Sequence, residues 1–279
     1  MNAAKSSNAN VRLLACLVDP QDSPDPTDSD YCFLVDGRYF KYVTIAPGTL
    51  AGEEIDWSFG PTLLSELLPS FPPGDWNKGH VAKDPETGQV AFVKTETESL
   101  VGVKNLWHPV QLNELDFVLK ERVRQGVHVS THPDFNDGKP VLIKFAVWPW
   151  EIVHIEAETT LYESISNLDI GPKFLGHITE GKDGRVVGFV VDWVQDARVA
   201  GPGDLKNCMK VLGRLHELKH GDINKHNFLV REGHDVVLID FETAKKGSPQ
   251  DLEDEICALQ ESLEDPGFLG GVKVLEVCE

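Results

Sequence analysis

Residues 212–244, LGRLHELKHGDINKHNFLVREGHDVVLIDFETA, constrain the fold more than any other stretch, because charged and amide side chains interrupt its apolar runs at fixed places. Phe228-Leu229-Val230 and Val236-Val237-Leu238-Ile239 read as two short strands joined by a turn at Glu232-Gly233. Such a hairpin gathers Asp222, Asn227 and Asp240 near one end. Residues 205–219, with Leu205, Cys208, Leu212 and Leu215 on one apolar stripe and Asp204 as its cap, are expected to form the helix that delivers this segment.

A carboxylate, an amide and a second carboxylate in this order suit phosphoryl transfer. That chemistry needs little covalent help but does need a group at the attacking hydroxyl and oxygen ligands for Mg²⁺ on the nucleotide phosphates. His220-Gly221-Asp222, then Asn227, then Ile239-Asp240-Phe241-Glu242 resemble the catalytic and metal-binding loops of the protein-kinase-like fold. The His-Gly-Asp opening and Ile-Asp-Phe-Glu ending are closer to the aminoglycoside and choline phosphotransferases than to protein kinases, which carry His-Arg-Asp and Asp-Phe-Gly. The resemblance implies ATP as donor, Asp222 as base or hydroxyl-positioning group, and Asn227 and Asp240 as Mg²⁺ ligands.

The resemblance extends over residues 117–263. Residues 117–123, 127–131 and 141–147 read as strands, with turns at Gln125-Gly126 and Asn136-Asp137-Gly138. Lys144 matches the strand lysine that pairs with the phosphates. Residues 151–168 have helical spacing, and the family places there a glutamate that orients the lysine. Glu158 matches it, since Tyr162 and Ile165 follow at a spacing that keeps it near the lobe interface; Glu156 is the alternative. After an apolar strand over 186–194, Asp192-Trp193-Val194 falls at the hinge whose backbone groups bind adenine. The chain departs from the family in its hairpin turn, where Gly126 stands alone in place of a glycine-rich loop, and in the short stretch after Ala244.

A rival motif overlaps the first. His216-Glu217-Leu218-Lys219-His220 fits H-E-x-x-H, which on a helix sets two imidazoles on one face for Zn²⁺. Against it, Gly221 should end the helix at once, and Asp222, Asn227 and Asp240 are left unexplained.

The N-terminal part offers strands but no such constellation. Residues 11–18, a hairpin over 31–45 turning at Asp36-Gly37, and a hairpin over 80–95 turning at Glu86-Thr87-Gly88 make it β-rich, with one helix expected over 61–68. Trp57, Trp76 and Trp107 are expected to be packing residues rather than a ligand site. A last helix over 251–263 turns Leu252, Ile256, Leu259 and Leu263 inward, with Glu253, Asp254, Glu255 and Glu261 on a solvated face.

A net charge of -19 argues against nonspecific binding to nucleic acid or anionic membrane. The cysteines, five in number and never at C-x-x-C spacing, favour reduced thiols and a cytoplasmic setting. The apolar run 11–18 is too short to span a membrane. The expected architecture is α+β: a two-lobed protein-kinase-like fold with a β-rich N-terminal extension (1–112), an N-lobe (113–194) and a short C-lobe (195–279). The expected function is ATP-dependent phosphotransfer to a hydroxyl, on a small molecule more than on a protein, with room for a protein partner that helps select the acceptor. The alternatives are a pseudokinase or nucleotide-binding module without transfer, and ATP-dependent chemistry of another kind on the same site.

Overall fold

In a computed structural model, residues 8–19, 25–50, 67–218, 220–221, 225–233, 235–242 and 244–264 are described, and they fold as mixed α+β. The chain divides into two compact units, residues 1–100 and 101–279.

The first unit is an all-strand sheet of β1 (Val11–Leu17), β2 (Ser29–Val35), β3 (Tyr39–Ile45), β4 (Lys78–Lys83) and β5 (Val90–Glu96), in that order. Its hairpins turn where the sequence places them. The second is fixed by Asp84, whose Oδ1 accepts from the N–H groups of Glu86 and Thr87 at 3.0 and 2.7 Å. Between the hairpins the chain crosses over, so β3 and β4 pair in parallel. Phe33, Val43, Val81 and Trp76 fill one core. Trp76 is a packing residue there, in ring contact with Phe71 and Phe92 and donating through Nε1 to Pro72 O at 2.8 Å. The helix expected over 61–68 falls almost wholly outside the described residues, as does Trp57.

In the second unit, β6 (Gln111–Asn113), β7 (Val118–Arg124), β8 (Val127–Thr131), β9 (Val141–Phe145), β10 (Phe174–Thr179) and β11 (Val186–Asp192) form a sheet in the order β6-β10-β11-β9-β8-β7. β9 and β11 are therefore internal, and β7 is an exposed edge. Helix α1 (Ile152–Ile165) links β9 to β10, and Ile152, Ile155, Leu161, Tyr162 and Ile165 are its buried stripe. Tyr162 meets Phe174, Phe189 and Phe241 at ring-centroid distances of 5.6, 5.3 and 5.2 Å.

The boundary between units lies at 100/101 rather than the expected 112/113, because the strap after Leu100 is bound to the second unit. Val103 N–H donates to Val186 O at 2.8 Å, Trp107 Nε1 to Thr159 O at 3.1 Å, and His108 N–H to Nε2 of the buried His177 at 3.3 Å. Strand β6 then pairs in parallel with β10.

Beyond β11 come β12 (Arg198–Val199), α2 (Leu205–Glu217), β13 (His220–Gly221), β14 (Phe228–Val230), β15 (Val236–Leu238), β16 (Lys245–Lys246) and α3 (Pro249–Glu264). Cys208, Leu212 and Leu215 of α2, Phe228, Leu238, and Leu259 and Leu263 of α3 join the core that also holds Ile143 and Phe189. Residues 101–279 are not divided further at 194/195, since one core runs through that position.

Two expectations for this part change. Asp204 does not cap α2 through its side chain: a 3₁₀ turn over Pro202–Asp204 runs straight into the helix. Its carboxylate instead accepts from Gly201 N–H at 2.9 Å and pairs with Arg198 at 2.6 Å. Glu255 is not on a solvated face, because its Oε2 lies 2.6 Å from His216 Nε2. No helix among the described residues is long and apolar enough to cross a membrane.

Candidate functional site

Strand β9 places Lys144 in the middle of the sheet, paired on one side with Val127 of β8 and on the other with Phe189 of β11. Its stem is covered and its side chain is only 9 % exposed. Glu158 sits on α1 three, four and seven residues before Leu161, Tyr162 and Ile165, so helical periodicity turns it inward with them. Its side chain is 2 % exposed, and Oε2 lies 2.6 Å from Lys144 Nζ. The alternative, Glu156, points elsewhere: its carboxylate accepts from Lys104 and Asn105 N–H at 2.6 and 3.1 Å and pins the strap.

The segment after β15 closes the site. Asp240 takes a left-handed φ of 60°, a conformation that Asp and Asn tolerate better than other L-residues. Its Oδ1 lies 2.6 Å from Lys144 Nζ, and Phe241 N–H donates to Glu158 Oε1 at 3.2 Å. Glu158 thus holds strand, helix and the 240–242 segment at once. Asn227 is buried beside them. Ile239 N–H donates to its carbonyl at 2.9 Å, and its own Nδ2 is 3.4 Å from Asp240 O, so the amide side chain faces the backbone of Asp240 rather than its carboxylate.

Two residues to which the sequence assigns no role complete the cluster. Glu242 Oε2 is 3.1 Å from Lys144 Nζ, and Arg124, the last residue of β7, brings Nη2 to 3.0 Å from Asp240 Oδ1 and 3.4 Å from Glu242 Oε2. Glu242 could have been found from its place two residues after Asp240. Arg124 gives no signal beyond preceding the Gln125-Gly126 turn.

Burial shapes the electrostatics first. It pushes Glu158 above the usual carboxylate range despite the adjacent Lys144, and Asp240 adds to the push. Burial would lower Lys144, but the charges of Glu158 and Asp240 outweigh it and hold the ammonium above its ordinary value. Burial would raise Asp240, and Lys144 with Arg124 overcomes it, so this carboxylate stays below its ordinary value. Three carboxylates face two cations, an excess of one negative charge when all are ionised. Glu158, Asp240 and Glu242 can each offer an oxygen within 4.8 Å of the others, a hard-donor set of the kind Mg²⁺ prefers. Glu158 is already committed to Lys144 and Phe241 N–H, which leaves Asp240 and Glu242 as the fitting pair.

Of the other expected positions, Asp222 lies outside the described residues. Asp192 ends β11, and Trp193 and Val194 follow it as the chain leaves the strand. Asp192 N–H donates to Lys173 O at 2.9 Å, Val194 is buried, and Gln195 N–H donates back to Trp193 O at 3.1 Å. The zinc arrangement is not formed on a helix: α2 ends at Glu217, His220 belongs to β13, and His216 is engaged by Glu255. Neither a scan against protein-family models nor a search of curated proteins finds a match to this chain.

Proposed function

We propose that the second unit is an ATP-dependent phosphotransferase of the protein-kinase-like class, nearest in motif to the aminoglycoside and choline phosphotransferases, acting on a hydroxyl of a small molecule. The observation that carries this reading is the Lys144–Glu158 ion pair between a central strand and the helix that follows it, with Asp240 on the same ammonium. Protein kinases need that strand-lysine and helix-glutamate pair, together with the metal-binding Asp, to be assembled before transfer. Here Glu158 keeps Lys144 charged and aimed, so that an anion replacing Asp240 and Glu242 meets a fixed ammonium. Asp240 and Glu242, with Asn227 bracing the backbone of Asp240, are the residues that would hold Mg²⁺. When bound, Mg²⁺ offsets phosphate charge and aligns the transferred group. Asp222 has the role of orienting the acceptor hydroxyl and taking its proton, and the exit from β11 at Asp192-Trp193-Val194 that of receiving adenine. The free thiols at Cys16, Cys208 and Cys257 fit a cytoplasmic setting.

A second reading, a nucleotide-binding module without transfer, draws on the contacts of Arg124 and Lys144 with both candidate metal ligands. The two readings separate in one series. Mg²⁺-dependent ATP binding should be present in the parent and lost in Asp240→Asn, a substitution compatible with the left-handed backbone. Asp222→Asn should bind ATP normally, while turnover in a screen of hydroxylated metabolites falls about 10²- to 10⁴-fold. Binding with no transfer to any acceptor favours the module. Absence of Mg²⁺-dependent binding in the parent removes both.

A further inference from the structure

We infer that Arg124 is a second phosphate-binding cation of this site, supplying from the hairpin the anion contact that a glycine-rich turn makes with backbone N–H groups; the inference rests on the phosphotransferase reading above. Two cations from different strands converge on the same two oxygens. Asp240 Oδ1 is 3.0 Å from Arg124 and 2.6 Å from Lys144, and Glu242 Oε2 is 3.4 and 3.1 Å from them. A guanidinium in that place presents a planar fork of N–H donors whose geometry matches phosphate oxygens as well as carboxylates.

The turn that follows Arg124 explains why a side chain is needed. It holds one glycine, Gly126, with φ of +69°, and a Cβ there would lie 2.3 Å from Phe145 O. Its missing side chain is thus used by close packing on β9, with Phe145 N–H donating to Gly126 O at 2.8 Å. In protein kinases the corresponding hairpin covers the phosphates with several glycines. Here the hairpin carries charge to the same place instead.

Arg124 is also free to change partners in a way Lys144 is not. Its side chain is 44 % exposed, whereas Lys144 is covered and anchored by Glu158. Asp240 and Glu242 would hold the divalent cation, and Arg124, which pairs with both of them, would then be available to an anion. Its contribution should therefore appear only with Mg²⁺ present and only for phosphorylated ligands.

The test is calorimetric titration of the full chain and of its Arg124→Ala and Arg124→Lys variants with adenosine, ADP and ATP, with and without Mg²⁺. Loss of one charge-assisted contact predicts ATP affinity about 10- to 100-fold weaker in Arg124→Ala with Mg²⁺, unchanged adenosine affinity, and partial recovery in Arg124→Lys. Unchanged ATP affinity in Arg124→Ala, with Mg²⁺-dependent binding in the parent, overturns the inference alone. Equal losses for adenosine and ATP overturn it too, since they report a structural role. A parent chain without Mg²⁺-dependent ATP binding overturns the phosphotransferase reading and this inference with it.

Discussion

A carboxylate as buried as that of Glu158 is tolerable only while Lys144 stays beside it. Lys144→Ala should cost about 3–5 kcal/mol in guanidinium denaturation, because it leaves a buried charge unpaired. Lys144→Met combined with Glu158→Leu should recover most of the loss, and a double variant no more stable than Lys144→Ala would show that the pair does not act as a unit. His177 makes a second residue-scale prediction. Burial, with help from His108, lowers its pKa to about 4 against some pull from Glu156. A depressed folded pKa contributes stability that is present above the unfolded value of 6.5 and is lost as pH falls toward 4. Protonation would also remove the Nε2 acceptor that holds His108 N–H and the strap. Unfolding free energy should therefore drop by roughly 3 kcal/mol across that window, and the slope should vanish in His177→Phe. An identical slope in both chains would remove His177 as its source.

Among the elements, the contact of β11 with β9 leaves no room for a side chain at one position, since Gly188 faces Phe145 and a Cβ there would lie 2.3 Å from Lys144 O and 2.5 Å from Phe145 Cβ. Gly188→Ala should force the strands apart, lowering stability by about 1–3 kcal/mol and weakening Mg²⁺–ATP binding through displaced Lys144. Full binding in a stable variant would show that the pairing has more room than it presents. Strands β7 to β9, α1 and the β14–β15 pair are legible in the sequence because each carries a local signal, whether a turn dipeptide, an apolar run or helical spacing. Glu158 is legible for the same reason, sharing the register of Tyr162 and Ile165. Arg124 is not, because its partners Asp240 and Glu242 are 116 and 118 residues away and nothing near it foretells them. The strap over 101–110 has no periodicity to read, and its parallel continuation in β6 is a pairing no turn signal marks. Glu255 reads as one acid among several on α3 until His216 is found opposite it.

On the scale of the whole molecule, the two cores share no residues: Phe33, Val43 and Val81 belong to the first unit, Ile143, Phe189 and Leu212 to the second. Scanning calorimetry should accordingly resolve two transitions. Phe33→Ala should lower one by a destabilisation of about 3–5 kcal/mol and leave Mg²⁺–ATP binding and the other transition where they were. A single transition that moves as one would mean the units unfold together. The edge position of β7 has a consequence between molecules as well. A strand paired on one side only offers its outer N–H and C=O groups as a template for a foreign strand, and Val118 and Leu119 are exposed at its start. Lys120, Glu121, Arg122 and Arg124 are exposed along the same strand and discourage such docking by their charge. Neutralising Arg124 therefore also thins the guard against edge-to-edge association, which ties the protein's behaviour in concentrated solution to the same guanidinium that faces Asp240 and Glu242.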